Sequence, residues 1–135
     1  MRRRSWLLVL SVAAGIAGCS THGLAFVQDD RVDVVTPTDR ATVELPVHVR
    51  WTADGLPEGT TFGVAVDEAL PRAGDEPDDE VVRTARTQVT LDHLGSTSRA
   101  GGRGTHHITV FLLDADGRRV GESAWRVDVK LGAHA

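Results

Sequence analysis

The sequence predicts an all-β fold, a single antiparallel sandwich of about seven strands. Several segments alternate apolar and polar residues with a period of two, the pattern of strands with one buried face. Runs rich in Gly, Pro and Asp separate these segments and are typical of turns. No segment after residue 18 has the apolar stripe of an amphipathic helix. Six or seven short strands over ~100 residues favour two packed sheets.

The clearest strand pattern runs from Thr42 to Trp51, where every second residue is apolar. One face of this strand is expected in the core. Pro46 indicates an edge position or a bulge, because proline cannot donate a ladder hydrogen bond. A turn-rich loop over residues 53–59 leads into a second strand over residues 62–66. Weaker strand patterns occupy residues 32–35, 81–85 and 89–91.

A hairpin is predicted near the C-terminus, with Asp114–Gly117 as its turn. If the turn centres on the last two of these residues, Ile108 pairs with Trp125 and the two apolar faces meet. A type I turn with Gly117 in the left-handed conformation would shift the register by one residue and separate these faces. Core packing favours the first register, unless a bulge near Gly121 restores the phase.

The order of these segments resembles an immunoglobulin-like sandwich of the fibronectin type III kind. A strand that ends at Trp51, a loop with Pro57 and a strand that begins at Phe62 carry the resemblance. Residues 89–94 fit the family's leucine-bearing corner, so the resemblance covers residues 32–131. The chain departs from the family because it has no Tyr for the usual corner, and a single Cys excludes the immunoglobulin disulfide. The fold hosts many functions and implies none of them.

The first nineteen residues have the composition of an export signal. Three arginines precede an apolar run of 14 residues, Ser5–Gly18, which is shorter than the ~20 residues of a spanning helix. The run ends in Ile16, Ala17 and Gly18, directly before Cys19. A charged start, a short apolar segment and a small-residue cleavage site indicate a secretory signal peptide.

The end of this segment resembles the lipobox of bacterial lipoproteins, with Ile16 where Leu is commoner. The resemblance implies that signal peptidase recognises Ile16, Ala17 and Gly18, and that Cys19 carries a diacylglyceryl group. Two acyl chains give stable membrane attachment. The expected organisation is a signal peptide at 1–18, a lipidated tether at 19–30, a sandwich domain at 31–132 and a tail at 133–135. The expected location is the extracytoplasmic face of the cell membrane.

The composition of the mature chain argues against several classes of function. Cleavage before Cys19 would leave 117 residues with 12 basic and 19 acidic side chains. This negative balance disfavours binding to nucleic acid or to anionic lipid. With Cys19 lipidated, no thiol remains for a disulfide or a cysteine-ligated metal. No cofactor is predicted.

Seven carboxylates fall within a window of 14 residues. They are Asp67, Glu68, Asp75, Glu76, Asp78, Asp79 and Glu80. Calcium takes six to eight oxygen ligands, so the last five are weak candidates for a calcium site. The spacing matches no known calcium loop, and we expect a solvated, mobile loop that charge repulsion keeps open.

Two further groups of residues are candidates for binding. Phe111, Leu113 and Val120 fall on the outer face of the C-terminal hairpin, as a partner surface or as a patch that residues 24–27 cover. His106 and His107 are adjacent, so on a strand they point to opposite faces and cannot chelate one ion together.

No nucleophile elbow, phosphate loop, paired-histidine metal motif or recognisable triad occurs in the chain. We therefore expect a non-enzymatic, membrane-anchored binding or scaffold module of the cell envelope, with an unknown protein or envelope partner. The alternative is an envelope accessory protein that binds calcium or a transition metal. It is motivated by five histidines beyond the tether and by the acidic loop.

Overall fold

The computed structural model describes residues 30–94 and 104–132, which form two facing β-sheets. The eight strands are β1 (Val32–Thr36), β2 (Ala41–Val43), β3 (Val47–Ala53), β4 (Thr61–Val66), β5 (Val82–Thr84), β6 (Gln88–Leu91), β7 (Thr105–Leu113) and β8 (Arg119–Leu131). The small sheet has the order β1-β3-β6 and the large sheet has the order β2-β8-β7-β4-β5. The predicted all-β class is confirmed, with eight strands instead of about seven.

The segment predicted as one strand over Thr42–Trp51 is two strands in different sheets, so that prediction was wrong. β2 pairs with β8 in the large sheet, and β3 pairs with β1 and β6 in the small sheet. The chain changes sheets between Val43 and Val47, where Pro46 offers no backbone donor for a continuous ladder. β2 runs parallel to β8, so the sandwich is not wholly antiparallel.

The main core lies between the sheets and is built from alternate residues of both. Trp51 is 1% exposed and packs edge-on against Phe62, with ring centroids 5.3 Å apart and an interplanar angle of 67°. Such an aromatic pair contributes about 0.5–1.5 kcal/mol beyond the apolar area that it buries. Trp125 is also buried here, as its strand pattern predicts.

A bulge near Gly121 sets the register of the C-terminal hairpin. Gly117 has φ 79° in the turn, and Leu113 pairs with Arg119 directly beyond it. The register then shifts around Gly121, which has φ 61°, so that Ile108 pairs with Val127. The preferred pairing of Ile108 with Trp125 was therefore wrong, but the difference of two residues keeps both apolar faces inward.

A second, smaller core lies on the outer face of the large sheet. Its buried residues are Ala65, Val81, Phe111, Leu113 and Ala124, and Leu70 packs against them. Leu70 and Val81 belong to residues 67–81, the connection between β4 and β5, which we call the outer-face loop. The loop crosses the sheet because its two apolar side chains cover the apolar residues of β7.

This second core corrects the prediction of an exposed apolar patch. Phe111 and Leu113 are 0% and 1% exposed, because the outer-face loop covers them. Of the three predicted residues, Val120 is exposed, at 39%. Residues 24–27, the alternative cover, lie outside the described residues.

Gly63 is required where the Phe111 ring meets the large sheet. The two residues are direct cross-strand neighbours on β4 and β7. A Cβ atom built on Gly63 would lie 2.8 Å from Cε1 and Cε2 of Phe111, and closer still to Cζ. The end of the ring therefore occupies the space that any larger residue at position 63 would need.

Replacement of Gly63 by Ala is expected to destabilise the protein by about 1–3 kcal/mol, the usual cost of overpacking a core. Urea unfolding of the wild type and the variant measures this difference. In a Phe111→Leu background the same substitution should cost less, because leucine lacks the end of the ring. An equal loss of stability in both backgrounds would show that the Phe111 ring does not limit the space at position 63.

Candidate functional site

The outer-face loop is fastened to the sheet by backbone and arginine hydrogen bonds. The N–H of Gly74 donates to the carbonyl of Arg119 (2.7 Å), and the N–H of Arg119 donates to the carbonyl of Asp75 (2.9 Å). The Arg119 guanidinium donates to the carbonyl of Pro71 (2.7 Å) and lies 5.8 Å from the Phe111 ring centroid. The loop is thus packed on the sheet, whereas the sequence predicted a solvated, mobile loop that charge repulsion keeps open.

The five candidate calcium ligands are all exposed in this loop: Asp75, Glu76, Asp78, Asp79 and Glu80. Within the described residues, arginine side chains bond to backbone carbonyls of the loop and not to these carboxylates. Arg83 Nη2, for example, donates to the carbonyl of Pro77 (2.7 Å). Among residues 30–94 and 104–132, no three His, Cys, Asp or Glu side chains are grouped so that they could hold a metal ion.

Asp67 connects the end of β4 to the start of β7. Its Oδ2 lies 2.6 Å from His106 Nδ1, and its Oδ1 accepts from the His107 N–H at 2.7 Å. The Asp67 N–H donates to the His107 carbonyl at 2.9 Å. Asp67 has φ 55°, a left-handed conformation that aspartate tolerates better than most residues. It therefore ends β4 and turns the chain into the outer-face loop.

The two adjacent histidines contact different carboxylates, as expected for neighbours on a strand. His107 Nδ1 lies 2.7 Å from Asp128 Oδ1, which also accepts from Arg126 Nε at 2.8 Å. The bond from Arg126 lowers the pKa of Asp128, and the contact with His107 lowers it further, while partial burial opposes both. This polar cluster joins β7 to β8.

Glu68 and Glu80 come together at the two ends of the outer-face loop. With His93 they line a cleft of about 230 Å³. Its remaining lining is apolar and consists of Val64, Val66, Val82 and Leu91. These four residues belong to β4, β5 and β6, so the cleft opens between the two sheets where β5 and β6 are the edge strands. We call it the interlayer cleft.

The proximity of the two glutamates changes the acidity of Glu68. A hydrogen bond with Glu80 raises the pKa of Glu68 to about 7, and partial burial and the charges of Glu80 and Asp78 act in the same direction. The Glu68 carboxyl thus retains its proton up to about neutral pH. Neither Arg nor Lys is among the residues that line the cleft. A perturbed acid in a cleft is a feature of functional sites.

Comparisons with protein-family models, with curated proteins and with solved structures each found no match. Cys19 and the residues Ile16, Ala17 and Gly18 lie outside the part of the chain that the structure describes. Within that part, no helix has the length and apolar character that crossing a bilayer requires.

The sequence does not show that Glu68 and Glu80 line the same cleft. They are twelve positions apart and were read as members of one solvated acidic run. Leu70 and Val81 hold this acidic segment against the sheet, because their apolar side chains pack in the second core. Their position in the sequence does not show that they pack there.

Because the pKa of Glu68 is raised, the free energy of unfolding should decrease as the pH rises over a limited range. Because folding favours protonated Glu68, its contribution is complete below pH 4.5 and is lost as the pH rises to about 7. A Glu68→Gln variant cannot ionise at this position, so it should gain stability relative to the wild type across this window. Urea unfolding at several pH values measures the difference.

Glu76→Gln is the matched control, because Glu76 is exposed in the same loop and does not line the cleft. Its stability should follow the pH profile of the wild type. If Glu68→Gln also follows that profile, the coupling between Glu68 and Glu80 is absent.

Proposed function

We propose that the protein is a lipid-anchored module of the bacterial cell envelope that binds a ligand or partner outside the cytoplasm and has no catalytic activity. One observation carries the proposal. The first nineteen residues combine a cationic start, a 14-residue apolar segment and a lipobox-like ending at Cys19, the one cysteine of the chain. Thioether attachment of a diacylglyceryl group at Cys19 supplies the two acyl chains that stable anchoring needs.

The tether length is compatible with this arrangement. Eleven residues, 20–30, separate Cys19 from the sandwich domain. A fully extended chain of this length reaches at most about 40 Å. The domain would therefore stay near the membrane surface but clear of the acyl chains, with its clefts open to solutes and to neighbouring proteins.

We also propose that the sandwich is immunoglobulin-like, of the fibronectin type III kind. Its strand order supports this assignment: β1, β3 and β6 form one sheet, and β4, β7 and β8 adjoin in the other. This is the partition of strands in immunoglobulin-type sandwiches. β2 is an additional edge strand of the second of these sheets and pairs in parallel with β8.

The interlayer cleft supports a binding role. It combines apolar walls with a small number of polar groups, which is the usual composition of ligand sites. It opens between the two sheets, along their edge strands β5 and β6. Fold alone does not specify a ligand, so the chemistry of the cleft lining must do so.

The lipid anchor is tested by mass spectrometry and membrane fractionation of the protein expressed in a bacterial host. The mature wild-type chain should begin at Cys19, carry the mass of a diacylglyceryl group and remain in the membrane fraction. Cys19→Ser should abolish lipidation and release the protein from the membrane. Ser20→Ala is the matched control, because it leaves the cysteine and the residues before it unchanged, and it should behave as the wild type.

An unmodified Cys19 in the native protein would contradict the proposal. Retention of Cys19→Ser in the membrane fraction at the wild-type level would contradict it as well, because attachment would then depend on another part of the chain.

A further inference from the structure

We propose that the interlayer cleft binds a small organic ammonium ion, in which a cationic head is attached to a short apolar chain. This inference rests on the proposed function and extends it by naming the class of ligand. Four of the residues that line the cleft are apolar, and two of the other three are glutamates.

The walls of the cleft suit the apolar part of such a ligand. Val66 and Val82 are half-buried and leave apolar surface open to a ligand, while Val64 and Leu91, at 1% and 6% exposed, form the inner boundary of the cleft. The apolar part of a ligand would therefore pack mainly against β4 and β5. Burial of hydrocarbon against such surface is favourable in rough proportion to the area removed from water.

The rim of the cleft suits the cationic head. Glu68 and Glu80 both line the cleft and interact electrostatically, and His93 is the third polar residue of the lining. An ammonium group has several N–H donors and can bond both carboxylates together. Charge-assisted hydrogen bonds of this kind are about twice as strong as neutral ones.

The same rim disfavours other ligand classes. Two glutamates and the nearby Asp78 repel anions, including free amino acids through their carboxylate. An inorganic cation would use the carboxylates but would leave the apolar walls in contact with water. The volume of about 230 Å³ lies below the ~300–1,000 Å³ of pockets for larger ligands, so a compact compound fits better.

Binding of a cation should be coupled to the release of a proton. The pKa of Glu68 is about 7 because Glu80 and Asp78 face it and because it is partly buried. A cation between the carboxylates favours their ionised forms, so affinity should increase as the pH rises through neutrality. His93 also lines the cleft, and the pH profile must be compared with that of a His93→Asn variant.

The test is an NMR titration of the ¹⁵N-labelled full chain, purified from membranes in detergent. The probes are n-butylammonium, methylammonium and 1-butanol. n-Butylammonium should shift the amide signals around Val66, Glu68 and Val82 in a saturable manner. Methylammonium should bind more weakly because it lacks the apolar chain, and 1-butanol should not saturate because it lacks the charge.

Variants and pH then assign the binding to the cleft. In the double variant Glu68→Gln and Glu80→Gln, the Kd for n-butylammonium should rise at least about tenfold. Glu76→Gln, in the same loop but outside the cleft, should bind as the wild type does. For the wild type, affinity at pH ~6 should be about tenfold weaker than at pH ~8, and His93→Asn should retain this dependence. The amide spectrum of each variant reports whether it is folded.

Several results would overturn the inference. One is that 1-butanol binds as tightly as n-butylammonium, and another is that Glu76→Gln weakens n-butylammonium binding as much as the double variant does. A third is that Ca²⁺ or Zn²⁺ displaces n-butylammonium at a concentration below that of the ammonium ion. Tighter binding of a lysine blocked at both backbone ends would assign the cleft to a side chain of a protein partner instead. An unmodified Cys19 would contradict only the membrane anchor, and absent ammonium binding by the lipidated protein would contradict only this inference.

Discussion

The contact between the Phe111 ring and the backbone of Gly63 is the constraint on which the rest of the structure depends. Because position 63 has no side chain, the ring lies within the outer surface of the large sheet and is fully buried. The ring is the largest member of the second core, and Leu70 and Val81 pack in the same cluster. The acidic connection between β4 and β5 is thereby held across the sheet, and its last residues return beside the end of β4, where it began. Glu80 and Glu68 line one cleft as a consequence of apolar packing elsewhere.

This arrangement explains how an acidic segment stays folded despite its charge. Residues 75, 76, 78, 79 and 80 hold exposed carboxylates, while backbone carbonyls of the loop accept bonds from Arg83 and Arg119. Asp67 bonds to His106 and to the N–H of His107, and the interaction of Glu68 with Glu80 favours protonated Glu68 up to about neutral pH. A domain without a disulfide can hold such a site because both cores that position it are packed.

Local patterns allowed the strands and their buried faces to be predicted, but not the features that create the cleft. The alternation from Val47 to Trp51 identified an inward face correctly, since period two follows directly from strand geometry. Alternation also continued through Leu45, so Pro46, which indicated an edge position or a bulge, was the one local sign of the transfer of the chain to the other sheet. The hairpin register depended on a bulge at Gly121, which turn chemistry alone does not require. The cover of Phe111 depends on two apolar residues within a charged run, and their effect appears only once the chain is folded.

The most direct test of this account is a nuclear Overhauser experiment on the Phe111 ring. The ring protons are predicted to give cross-peaks to the α-protons of Gly63 and to the methyl groups of Leu70 and Val81. Such cross-peaks report the contact and its cover together. A Phe111 ring that gives none of these cross-peaks and exchanges magnetisation with water would contradict the account, because the outer-face loop would then have no packed surface to hold it.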